Sequence, residues 1–243
     1  MHAPCVAADD GAVWLDDWLD LALGSACVGC ARPGRLLCPD CRDALPLEAR
    51  AVRPEPCPDG LAAAFAAAEY ADPVRRMILL HKERHAFALA RPLGEALALT
   101  VLAGLASRGR TVLVPVPSRP GVVRARGHDP MLRITRVAAR ELRSTGVDLV
   151  VQPLLRQRDV VADQAGLTAV ERAANLADRM AVRPAGLRGL ARTGVPVTAI
   201  VCDDVITTGS TAREAQRALE DVGVPVAAVC CVAATRRRHL LPK

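Results

Sequence analysis

Residues 198–223 read TAIVCDDVITTGSTAREAQRALEDVG, in which the adjacent carboxylates Asp203 and Asp204 interrupt an apolar run and a hydroxyl-rich turn follows. Neighbouring acids repel each other, and each loses hydration where the surroundings are apolar, so a purely structural role explains them poorly. Two carboxylates side by side suit a different task, accepting hydrogen bonds from two vicinal hydroxyls. The turn supplies the complementary chemistry. Thr207, Thr208, Gly209, Ser210 and Thr211 stand where a helix is expected to begin, so backbone N–H groups lacking intrahelical partners, the positive end of the helix dipole and the side-chain hydroxyls can hold a phosphate there. Gly209 lets the backbone approach such an anion closely. Acid pair plus phosphate cradle, a few residues apart, reads as a site for a ribose 5-phosphate.

A second constellation lies near the N-terminus. In CVGCARPGRLLCPDC, Cys27 and Cys30 form one C-x2-C hook and Cys38 and Cys41 another, with seven residues between them. Two such hooks present four thiolates to a tetrahedral ion, and Gly29, Pro33, Gly34 and Pro39 suit the tight turns around them. Four thiolates leave no open coordination position, so the expected metal is a structural Zn2+. Of nine cysteines in all, Cys5 and Cys57 have no partner of matching spacing, while Cys202, Cys230 and Cys231 fall in apolar runs, as small core residues do.

The elements that must position these groups follow from periodicity. Residues 111–116, 147–151, 196–202 and 224–232 read as strands and 129–144 and 211–222 as helices, while 73–106 read as helical with an interruption at Pro92 and Gly94. Strands alternating with helices predict an α/β domain whose mostly parallel sheet is covered on both faces, with ligands gathered at the carboxyl ends of its strands. Asp203 and Asp204 then leave the sheet just beyond a strand ending at Cys202, where their charges need not be buried. Thr211 and Glu214 match a capping box, with Ala212, Ala215, Ala218, Leu219 and Val222 facing inward and Gly223 ending the helix. Trp14, Leu15, Trp18 and Leu19 share one face of a short N-terminal helix, and the Pro- and charge-rich residues 46–60 read as a connector. The expected division is therefore 1–55, helix and zinc module, and 56–243, the α/β domain. His81 and His85, four apart in HKERH, lack the H-E-x-x-H arrangement and read as an exposed helix face.

Composition narrows the partners. The 243 residues are 51% hydrophobic, enough for a sizeable core, and 32 Lys and Arg against 26 Asp and Glu give a net charge of +6, which favours anionic partners. Only 2% of residues are aromatic, which leaves little for base stacking, although the tail TRRRHLLPK offers an electrostatic contact to nucleic acid. The longest apolar run, ALALTVLAGLA, falls well short of the about 20 residues that span a bilayer, so no membrane insertion is expected. The acidic start MHAPCVAADD is unlike a secretory signal and, with the thiol content, points to the cytoplasm. No Walker P-loop is present, nor a G-x-G-x-x-G after a strand. A receiver domain would carry its acid pair near its start, whereas 39 residues follow Asp204. A simple helix cap explains Thr211 and Glu214 but not Asp203.

The stretch DDVITTGST, between an apolar strand and a helix, resembles the 5-phosphoribosyl 1-diphosphate (PRPP) motif of type I phosphoribosyltransferases. VPVPSRPGVVRARGHDP and LLRQRDVVADQAGLTAVERAANLADRM are similar to two further segments of the ComF family, competence-associated phosphoribosyltransferase-like proteins that commonly carry an N-terminal four-cysteine zinc module. The chain departs from that family's pattern at Gly127-His128-Asp129-Pro130, in place of GFNQ, and at Asp159-Val160-Val161, in place of a threonine region. The resemblance implies a type I phosphoribosyltransferase-like fold and Mg2+-dependent release of diphosphate from ribose C1. In that reading Asp203 and Asp204 are catalytic, the turn 207–211 holds the 5-phosphate, and the loop bearing Ser118, Arg119, Arg124 and Arg126 grips diphosphate, which three guanidiniums suit. Arg156, Arg158 and Gln164 fall in the segment that resembles the family's mobile loop. The alternative it implies is a non-catalytic PRPP sensor or adaptor in DNA uptake, in contact with DNA or a competence protein.

Overall fold

The computed structural model describes residues 26–105, 110–118, 121, 127–158, 179–192 and 194–235. The expected N-terminal helix, Arg119, Arg124, Arg126, Gln164, Cys5 and most of the basic tail lie outside these residues. The cysteine module comes first: Cys38 immediately precedes a short helix α1 (Pro39–Asp43) that carries Cys41. Then follow β1 (Arg50–Val52), β2 (Ala63–Glu69), α2 (Val74–Glu83), a 3-10 turn (Phe87–Leu89), α3 (Ala90–Ala103) and β3 (Arg110–Pro115). The chain continues through α4 (Pro130–Ser144), β4 (Leu149–Val151), β5 (Leu155–Gln157), β6 (Met180–Val182), α5 (Pro184–Ala191), β7 (Val197–Ile206), α6 (Ser210–Glu220) and β8 (Val226–Ala234).

Six strands form one sheet in the order β1-β2-β8-β7-β3-β4, parallel throughout except for β1 against β2, so the expected mostly parallel α/β sheet is present. Successive side chains of a strand point to opposite faces, and both faces here are buried. Leu113, Ile200, Cys202, Cys230 and Val232 join a core shared with α2, α3 and α4. Val112, Val114, Ala199, Val201, Val229 and Cys231 join a second core shared with α5, α6 and the β5-β6 ribbon. This explains why the strands read as nearly continuous apolar runs. It also settles Cys202, Cys230 and Cys231 as core residues, whose thiols burial pushes well up, for Cys230 to about 12.

Several expectations change in detail. The helical break in 73–106 falls at residues 84–86, where His85 takes φ 57°, while Pro92 sits in the first turn of α3 and Gly94 inside it, where a Cβ would stand 2.5 Å from Val137 of α4. Arg50–Val52, inside the expected connector, adds an edge strand to the sheet. His81 is fully buried rather than exposed, because Val74, Met77, Ile78 and His81 follow the i, i+3, i+4, i+7 spacing of the inward face of α2. Val222 lies exposed past the end of α6. Among the described residues no helix is long and apolar enough to cross a membrane.

Candidate functional site

The sheet topology itself creates a crevice. From β3 the chain crosses by α4 on one face to β4, and from β7 it crosses by α6 on the opposite face to β8, although β3 and β7 are hydrogen-bonded neighbours. Helices that leave adjacent strands for opposite faces part company at the strands' carboxyl ends, which is where ligands gather in open parallel sheets. The ladder shows where the opening starts. On the β3 side the last pairing of β7 is Cys202 with Pro115, closed by the Val116 N–H donating to the Cys202 carbonyl at 2.9 Å. On the β8 side pairing continues to Val205 and Ile206 opposite Ala233 and Ala234.

Asp203 and Asp204 stand one and two residues past the last β3 pairing. The strand was expected to end at Cys202 and release them to solvent; instead β8 keeps supplying backbone partners and holds both acids in the sheet. Asp204's side chain is only 14% exposed. Burial first, and the neighbouring Asp204 charge second, push the Asp203 carboxyl well above its ordinary range, against the opposing pull of the Asp204 N–H and the Lys82 ammonium.

A cleft of about 200 Å3 opens over the two acids. Its polar groups are Lys82, Ser118, Gln157, Asp203 and Asp204. Its apolar wall comes from Val116 and Pro117 after β3 and from Pro130, Met131 and Ile134 at the start of α4. Asp129 caps α4 by accepting from the Leu132 N–H at 3.1 Å, and Pro130 fits the first helical position, so this wall is fixed by local sequence. Gln157 Nε2 donates to the Pro117 carbonyl at 2.9 Å, tying the β5-β6 ribbon to the loop that carries Ser118. Lys82 Nζ donates to Asp204 Oδ2 at 2.7 Å. Sequence reasoning did not single out Lys82 or Gln157. The only signal for Lys82 was its place beside a core-facing position on α2.

The turn 207–211 begins three residues beyond Asp204 at the same edge of the sheet, without lining the cleft itself. Gly209 is the N-cap of α6 and holds φ 71°, a left-handed conformation glycine adopts at no steric cost. It also lies against the connector: a Cβ there would stand 2.9 Å from Pro54 Cγ and 3.0 Å from Leu61 Cδ2. Thr207, Thr208, Ser210 and Thr211 are exposed, with the Thr208 and Ser210 hydroxyls 3.0 Å apart. The expected capping box does not form. Glu214 is buried and accepts from the Met180 N–H at 2.9 Å and from Arg217, because packing of α6 on β6 offers it fixed donors away from the helix end. Gly209, the N-cap residue of α6, has no side chain to cap the helix, and among the described residues no side-chain cap replaces it.

The four N-terminal cysteines do come together. The sulfurs of Cys27, Cys30, Cys38 and Cys41 lie within 4.8 Å of one another, a group that could bind a metal such as zinc. Gly29 is required at its position: a Cβ would stand 2.7 Å from Cys41 Sγ. Burial acts to raise the Cys27 pKa, but the Cys38, Cys30 and Gly29 N–H groups outweigh it and bring the thiol down to about 6. Hydrogen bonding with Cys38 holds the Cys41 proton up to about 12. The module packs on the domain through Val28, which joins the core and whose carbonyl accepts from Arg76 at 2.9 Å, and through Arg42, paired with Glu95 of α3. No protein-family model and no curated protein matches this chain.

Proposed function

We infer that the chain binds PRPP in this cleft and is a phosphoribosyltransferase-type protein of the ComF kind. The observation that carries the reading is the acid pair at the topological switch point, with the N-cap of α6, Gly209, five residues beyond Asp204. Asp203 and Asp204 accept hydrogen bonds from the two ribose hydroxyls, and the α6 amides with Thr207, Thr208, Ser210 and Thr211 receive the 5-phosphate. Ser118 donates its hydroxyl toward the C1 substituent. The apolar wall of Met131 and Ile134 limits water at C1.

In the reaction this implies, the bond from C1 to diphosphate breaks as an acceptor attacks C1, and the electron pair leaves with diphosphate. Positive charge then develops on the ribose, and fixed carboxylates beside it favour that charge without themselves forming a covalent bond. Two oxygen-donor acids fit Mg2+, so Asp203 and Asp204 would hold it together with the ligand, and it would offset diphosphate charge. Zn2+ in the Cys27, Cys30, Cys38 and Cys41 group would fix the N-terminal module in place.

The test is calorimetric titration with PRPP and Mg2+ of wild type, Asp203→Asn and Asp204→Asn. Saturable binding is expected for wild type, weakened about tenfold or more in each variant by loss of a charge-assisted hydrogen bond. Absence of binding refutes the reading. A diphosphate-release assay with a panel of bases then separates transferase from sensor: tight binding with no release favours a PRPP-sensing adaptor in DNA uptake.

A further inference from the structure

The cleft poses an electrostatic problem that its two acids do not solve. An anion entering beside two carboxylates is repelled, more strongly where burial lowers the effective dielectric. Among the described residues that line the cleft, Lys82 is the one cation. Its ammonium lies 2.7 Å from Asp204 Oδ2, and its side chain remains 34% exposed, so the charge faces both the acid and the space of the cleft. Lys82 belongs to α2, 122 residues from Asp204 in sequence, and its placement has an identifiable cause. The preceding His81 is buried with Nδ1 3.2 Å from the Ala86 carbonyl and Nε2 3.4 Å from the Pro130 carbonyl, which joins the last turn of α2 to the first residue of α4. One residue on, a helix turns by about 100°, and Lys82 points from that anchored turn into the cleft.

We propose that Lys82 is a ligand-binding residue that selects for an anionic substituent on ribose C1, bridging Asp204 and the diphosphate so that the anion can lie beside the acid pair. This role rests on the cleft holding the ribose as proposed above. A carboxylate has room for several hydrogen bonds on its two oxygens, so Asp204 can keep Lys82 on Oδ2 while it accepts a ribose hydroxyl on Oδ1. An ammonium carries three donor hydrogens, one of which Asp204 Oδ2 takes. A ribose 5-phosphate with no diphosphate at C1 makes no contact with the ammonium and gains nothing from it.

The discriminating experiment compares PRPP with ribose 5-phosphate, both with Mg2+, on wild type, Lys82→Met and Lys82→Arg. Lys82→Met is expected to lose about 10- to 100-fold in PRPP affinity, the range for a hydrogen bond to a charged group, while ribose 5-phosphate affinity stays within about threefold. Lys82→Arg, which keeps the charge, is expected to retain the preference for PRPP. Equal loss for both ligands in Lys82→Met would show a structural effect and overturn the role, as would unchanged PRPP affinity. Should Lys82→Met fail to fold, Lys82→Gln carries the same comparison. If wild type binds neither ligand, the ribose reading itself falls and Lys82's role with it; if wild type binds PRPP and the variants bind it equally well, only the role of Lys82 falls.

Discussion

Gly209→Ala tests in one substitution how the turn, the connector and the helix are held together. Gly209 has φ 71°, and an L-residue forced into the left-handed region loses about 1–2 kcal/mol. The added methyl would also stand 2.9 Å from Pro54 Cγ, 3.0 Å from Leu61 Cδ2 and 3.3 Å from Pro58 Cδ. Those neighbours give way poorly, because two are proline rings and the segment is stapled to α6: Arg213 Nε donates to the Asp59 carbonyl at 2.9 Å, and Gln216 bonds the Gly60 carbonyl and the Ala62 N–H. Overpacking of this kind costs about 1–3 kcal/mol, so the whole loss should be about 2–5 kcal/mol. Urea unfolding followed by circular dichroism should show a lower midpoint with an unchanged slope. Gly209→Asn separates the two causes, since asparagine tolerates the left-handed region but brings the same Cβ; it should recover part of the about 1–2 kcal/mol conformational share and none of the clash. An alanine variant within about 0.5 kcal/mol of wild type, the range of a neutral surface change, would refute both the backbone conformation and the contact.

Asp203→Asn should stabilise the ligand-free protein at neutral pH. The folded carboxyl titrates above its unfolded value near 3.8, so the stability associated with its neutral form is fully present below that value and lost as pH rises through the folded pKa. The advantage of the variant in thermal melts should therefore grow from near zero below about pH 3.8 toward pH 7, and a pH-independent difference would count against a buried, charge-strained Asp203. In the cysteine module, Gly29→Ala should abolish stoichiometric zinc as fully as Cys27→Ser does, because the new methyl meets Cys41 Sγ at 2.7 Å. Zinc retained at one ion per chain by atomic absorption in Gly29→Ala would rule out that packing of the hooks.

How much of this was legible in the sequence depends on the range over which each feature is determined. The two C-x2-C hooks, the strands β3, β4, β7 and β8 and the helix α4 are set largely by residues close together in the chain, and they stand within a few residues of where spacing and periodicity put them, whereas β2, β5 and β6 were not read from the sequence. The hydroxyl-rich turn before α6 was legible for the same reason, but the left-handed conformation of Gly209 was not read from it. The end of β7 was not: hydrogen-bonding partners from β8 carry the strand past Cys202, and nothing within residues 196–206 announces how long a neighbouring strand will be. Nor was the capping box, since Glu214 takes donors from β6, 34 residues away.

The amino-acid sequence by itself determined that paired acids, a hydroxyl-rich turn and four thiols would each be presented on a local scaffold, because turn chemistry and side-chain periodicity act over a few residues. Only the tertiary structure decided that β3 and β7 would be neighbours sending their helices to opposite faces, which opens the crevice over Asp203 and Asp204. It likewise decided that Lys82 would meet Asp204 and that His81 would be buried. The physical reason is that strand order and helix packing minimise exposed apolar surface across the whole chain, and charges distant in sequence are brought together as a consequence of that burial.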